Sequence, residues 1–136
     1  MTMRACLTLA LATLAAATLP ATAPRAEEMS AGEKLATFAC GRCHVVSERN
    51  RMGGIGSTPS FAAMRTIEDW ERRFRTFYAL RPHGAFTQVE GVTPPFDPLR
   101  PPAIHPVEVT EADIEAIVDF ARSIPPKDLG APLPFD

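Results

Sequence analysis

The sequence predicts an all-α fold of three main helices joined by a long proline-rich loop. Three stretches repeat apolar residues at helical spacing, each behind a capping signal. No stretch shows strong apolar–polar alternation at the two-residue period of a strand, so no sheet is expected. Eleven of the 14 prolines follow Leu80, which breaks the second half of the chain into irregular structure. At 136 residues, 46% hydrophobic and 22% charged, the chain has ordinary globular composition and room for one domain. A domain of this size buries a limited share of its surface and often relies on a covalent staple or a bound group.

Residues 1–26 read as a secretory signal peptide rather than as part of the fold. Arg4 supplies a positive start, Ala5 to Leu19 is uncharged and mostly apolar, and small residues follow. A membrane anchor is the alternative, but the apolar run falls short of the ~20 residues that a bilayer takes. Cleavage is expected after Ala23 or after Ala26. The domain then covers residues 27–126, with an extended tail at 127–136. Without the leader, 12 basic residues face 16 acidic ones. That balance argues against a nucleic-acid partner, which calls for a basic surface.

The first helix is expected from Ser30 to about Cys40. Ser30-Ala31-Gly32-Glu33 matches a capping box, and Leu35 with Phe38 or Ala39 would form the apolar contacts. The second is expected to start near Thr66, with Ile67, Trp70, Phe74 and Phe77 as one stripe, and to end before Pro82. The third starts at Thr110 with Asp113 three residues on. Ile114, Ile117, Val118, Ala121 and Ile124 form one apolar face, and Pro125-Pro126 stops it. Between the last two helices, Arg81 to Val107 reads as one long ordered loop; loops of this length are uncommon and often functional.

The chemistry sits in Cys40-Gly41-Arg42-Cys43-His44, the C-x-x-C-H pattern of covalent haem attachment. Two thiols a helical turn apart can add to the two vinyl groups of one porphyrin, and the adjoining imidazole then lies beneath the iron. Cys40 and Cys43 are also the only cysteines outside the leader, and an exported chain meets an oxidising compartment. A thioredoxin-like redox pair would need a βαβ pattern that is absent. A zinc site would need four ligands, with His83 or His105 joining Cys40, Cys43 and His44. A disulfide between Cys40 and Cys43 would close too small a loop to stabilise much.

On these residues the chain resembles the small monohaem class I cytochromes c, over about residues 30–124. Gly32 corresponds to the glycine at which the first and last helices cross, and Phe120 to the aromatic residue packed there. Gly56-Ser57-Thr58-Pro59 resembles the loop whose proline carbonyl accepts a hydrogen bond from the proximal histidine. Trp70 and the segment after it resemble the middle helix. The resemblance implies a cytochrome c-like fold around one haem c, with Cys40 and Cys43 as its tethers and His44 as the proximal iron ligand. It also implies one-electron transfer between a donor and an acceptor redox protein in the periplasm, with no enzymatic activity of the chain's own.

The departure from that family lies at the distal ligand. No methionine follows Met64, so the usual distal methionine is missing. His83, just past the middle helix, is the first candidate in its place, and His105, before Pro106, is the second. Met52, Met64 or an open sixth position remain. An axial methionine raises the haem potential, so a bis-histidine iron would sit lower. Arg49, Arg51, Arg72, Arg73 and Arg75 either neutralise haem propionates, dock an acidic partner or form a solvated face. Trp70 and Tyr78 either bond a propionate or pack in the core. The alternatives to a carrier are an open-site haem that reduces peroxide or binds a gas, a haem subunit of a larger dehydrogenase, and a haem-free thiol or zinc protein. Membrane contact is expected only if the leader stays attached.

Overall fold

In a computed structural model, residues 28–130 are described. The predicted signal peptide and residues 131–136 of the predicted tail lie outside them. The first helix, α1, spans Ala31–Cys40 behind Ser30, whose Oγ accepts from the Glu33 amide at 3.0 Å. The Glu33 carboxylate instead accepts from Ser47 Oγ at 2.9 Å, tying α1 to the segment beyond its C-terminus. The buried face of α1 is Gly32, Glu33 and Ala36. The expected Phe38 contact is not made, since that ring is 82% exposed, whereas Leu35 and Ala39 pack at the edge of the core.

The middle of the chain is more broken than one periodic stripe suggests. A short helix, α2 (Phe61–Met64), is capped by Ser60. Successive turns, Thr66 N to Ala63 O and Ile67 N to Met64 O, then carry the chain to α3 (Trp70–Arg75). The helix thus begins four residues after the expected start at Thr66, whose hydroxyl is spent on the Ala63 carbonyl at 2.7 Å. A tight turn over Phe77–Ala79 follows.

The last helix, α4, spans Glu111–Ser123. Its capping box is complete: Thr110 Oγ1 accepts from the Asp113 amide at 3.1 Å, and Asp113 Oδ2 accepts from the Thr110 amide at 2.9 Å. It buries Ile114, Ile117, Val118 and Ala121 and ends before Pro125. Helices α1 and α4 meet at Gly32. A Cβ there would fall 2.1 Å from the Ala116 carbonyl oxygen and 2.8 Å from Phe120 Cβ, so only glycine lets the backbones approach this closely.

The expectation of no sheet is corrected. Strands β1 (Thr87–Val89) and β2 (Val107–Val109) pair in parallel, with Thr87 opposite Val107 and Val89 opposite Val109, all four buried. The expected continuous loop from Arg81 to Val107 is therefore interrupted by a turn at His83–Ala85 and by both strands. Each strand has three residues, fewer than the four to eight over which alternation is recognisable. The tail begins with the Lys127 amide on the Ala62 carbonyl at 2.9 Å. Among the described residues no helix is long and apolar enough to cross a membrane.

Candidate functional site

Cys40 ends α1, and the backbone makes one further turn. The amides of Cys43 and His44 both donate to the Cys40 carbonyl, at 3.0 and 2.9 Å. That turn brings both thiols and the imidazole to the wall of one cavity of about 680 Å³, a size that suits a small molecule or cofactor. The remaining walls are mostly apolar, with Phe61 and Met64 from α2, Trp70 and Phe74 from α3, and Ile114 and Ile117 from α4. All four members of the predicted stripe, Ile67, Trp70, Phe74 and Phe77, line it.

His44 is 8% exposed and its Nδ1 lies 2.7 Å from the Pro59 carbonyl. A carbonyl partner puts the proton on Nδ1 and leaves the Nε2 lone pair free, the arrangement that orients a metal-binding imidazole. The loop around His44 is fastened elsewhere as well. Asn50 Nδ2 donates to the His44 carbonyl at 3.1 Å, while its Oδ1 accepts from the amides of Val46 and Ser47. Gly54, at φ +76°, approaches so closely that a Cβ would lie 3.0 Å from the His44 carbonyl carbon. The Ile55 amide then returns to the Cys43 carbonyl.

His83 shares the cavity with His44. It follows a cis Arg81–Pro82 bond, and its Nδ1 lies 3.2 Å from the Leu80 carbonyl. Its ring stands edge-on to Phe77 at 5.4 Å and beside Phe86 at 5.9 Å. The centroids of His44 and His83 are 6.0 Å apart, with the planes 11° from parallel. Burial pushes the His83 pKa below the ordinary imidazole range; the Leu80 carbonyl pulls it back up, and His44 pushes it down again. The neutral ring is the form that offers a lone pair.

His105 lies away from the cavity, exposed, with Nδ1 2.9 Å from the Pro106 carbonyl. Met52 is 91% exposed and also away from it, whereas Met64 lines it. Burial, then the neighbouring Cys43, pushes the half-buried Cys40 thiol up to about 12. A thiol held protonated is a poor exchange nucleophile. Among the described residues no three His, Cys, Asp or Glu side chains gather where one ion could be held, and a structural zinc cage takes four donors.

Four of the five predicted arginines meet carboxylates. Arg72 and Arg73 hold Asp69, Arg75 bridges Glu71 and Glu115, and Arg49 lies 3.4 Å from Glu33. Arg73 and Arg81 line the cavity, and Arg81 meets no carboxylate among the described residues. Sequence reasoning missed Asn50, Leu80, Arg81 and Phe86. Only Asn50 left a signal, since Ser47-x-x-Asn50 has capping-box spacing, and that box forms here. The Leu80 carbonyl and the Phe86 ring each lie three residues from His83, brought to it by the turns in which the His83 amide donates to Leu80 and the Phe86 amide to His83. No protein-family model, curated protein or solved structure matches the chain.

Proposed function

We propose that this chain is a c-type cytochrome of the periplasm, holding one haem c and passing single electrons between a donor and an acceptor protein. The observation that carries the reading is the C-x-x-C-H turn on the wall of an apolar cavity, with His44 already oriented by Pro59. The donor set suits the group: two thiols for two vinyls, an imidazole lone pair for iron, and aromatic and aliphatic walls for the porphyrin faces. Cys40 and Cys43 would hold the group through thioether bonds to its two vinyls, an addition that would leave each thiol proton on the neighbouring vinyl carbon and call for no oxidant. Haem, when bound, supplies an iron that gains or loses one electron.

The chain's own residues position and shield that centre. Pro59 and Asn50 fix the His44 ring and backbone. Phe61, Phe74, Ile114 and Ile117 exclude water, which lowers the local dielectric and limits reorganisation. Arg81 gives the cavity a cationic group suited to a carboxylate of the bound group.

The test is expression in a host with cytochrome maturation machinery, followed by denaturing electrophoresis and haem staining. Haem should remain on the chain at one per molecule, and Cys40→Ala with Cys43→Ala together should abolish the stain. A colourless chain with two titratable thiols would end this reading.

A further inference from the structure

Resting on that reading, we infer that His83 closes the face of the iron opposite His44, giving a bis-histidine centre in place of an open or methionine-ligated one. Two near-parallel imidazoles, 6.0 Å between centroids, face the same cavity. One metal ion spans such a gap: two metal–nitrogen bonds of roughly 2 Å, plus about 1 Å from each nitrogen to its ring centroid. The hydrogen bonds agree with the spacing. Nδ1 of His44 is taken by the Pro59 carbonyl and Nδ1 of His83 by the Leu80 carbonyl. Each ring thus keeps Nε2 as the nitrogen without a partner among the described residues. A backbone carbonyl behind the second nitrogen is what holds a ligating histidine in its tautomer and orientation. Phe77 and Phe86 flank His83 and limit its swing.

His105 is exposed and off the cavity, so it has no comparable support. Met64 does line the cavity, but it sits on α2 packed against the hydrophobic core. A closed sixth position suits electron transfer and denies peroxide or a gas direct access to the iron. It also lowers the potential relative to a histidine–methionine centre.

The experiment uses the haem-loaded chain. The wild-type protein should be six-coordinate and low-spin in both redox states, and its reduced spectrum should not change under carbon monoxide. His83→Ala should turn high-spin, bind carbon monoxide and regain the low-spin spectrum when imidazole is added. His83→Met, which keeps the cavity filled, should raise the midpoint potential, and it decides the question if the alanine variant fails to fold. His105→Ala should match wild type. A low-spin His83→Ala spectrum without added imidazole overturns the assignment. So does an unchanged potential in His83→Met, or loss of the low-spin spectrum in Met64→Leu or His105→Ala while His83→Ala retains it. Haem staining after denaturation reads the tether alone, so failure of the cytochrome reading is seen separately from failure of the ligand.

Discussion

Thr87 opens β1 fully enclosed, and its Oγ1 has no hydrogen-bond partner among the described residues. A buried hydroxyl without a protein partner costs about 1–3 kcal/mol. Valine has the same shape with a methyl in place of the hydroxyl, and it favours strands. We expect Thr87→Val to raise unfolding free energy by about 1 kcal/mol in urea denaturation. Thr87→Ser keeps the hydroxyl and loses the methyl, and should lower it; a destabilised valine variant would refute the account. At this scale the sequence was legible where spacing alone sets chemistry, as in Cys40, Cys43 and His44. The Pro59 partner of His44 was legible only through a family resemblance. His83 ranked ahead of His105 only by its short link to the middle helix, since each adjoins a proline in the same stretch, and it is the fold that puts one ring against aromatics and the other in solvent.

Among the elements, the contact of α1 with α4 depends on Gly32, where any side chain would be driven into the Ala116 carbonyl. Overpacking typically costs 1–3 kcal/mol and occasionally more, and here the obstacle is backbone, so we expect Gly32→Val to lose at least about 3 kcal/mol. A large fall in the denaturation midpoint at unchanged slope is the measurement, and a shift of a few tenths would refute it. Helix α4 was legible almost to the residue because its cap, stripe and terminating prolines agree. The middle segment was not. Its stripe at Ile67, Trp70, Phe74 and Phe77 has helical spacing because all four side chains face one cavity, yet only residues 70–75 are α-helical. Periodicity reports which residues share an environment, and a string of turns around a pocket satisfies it as well as a helix does. The strands were hidden by their length.

For the whole molecule, an ion-pair network fastens α3 to α4. Glu71 accepts from Arg122 at 2.7 Å and from Arg75 at 3.1 Å, and Arg75 also reaches Glu115 at 2.7 Å. The guanidinium of Arg122, then that of Arg75, holds the Glu71 carboxyl down at about 2, against 4.5 when unperturbed. A carboxylate more acidic in the folded state stabilises the fold fully above its unfolded value and loses that contribution as pH falls through its folded value. Stability should therefore decline between about pH 4.5 and pH 2, and Glu71→Gln should flatten that part of the profile. High salt should weaken the effect, because the pairs are solvent-exposed. A Glu71→Gln profile parallel to wild type would refute the network's role. The β1–β2 pairing has one more consequence. It works as a buckle on the hoop of residues 90–106: the parallel register sends the chain out past Val89 and brings it back at Val107 beside Thr87, at the other end of the pair, while Leu99 within the hoop stands almost wholly in water. Lengthening such a hoop adds little entropic cost. Residues could be spliced in beside Leu99, or the chain nicked there, while the clasp keeps Phe86 and Ile114 in place around the cavity.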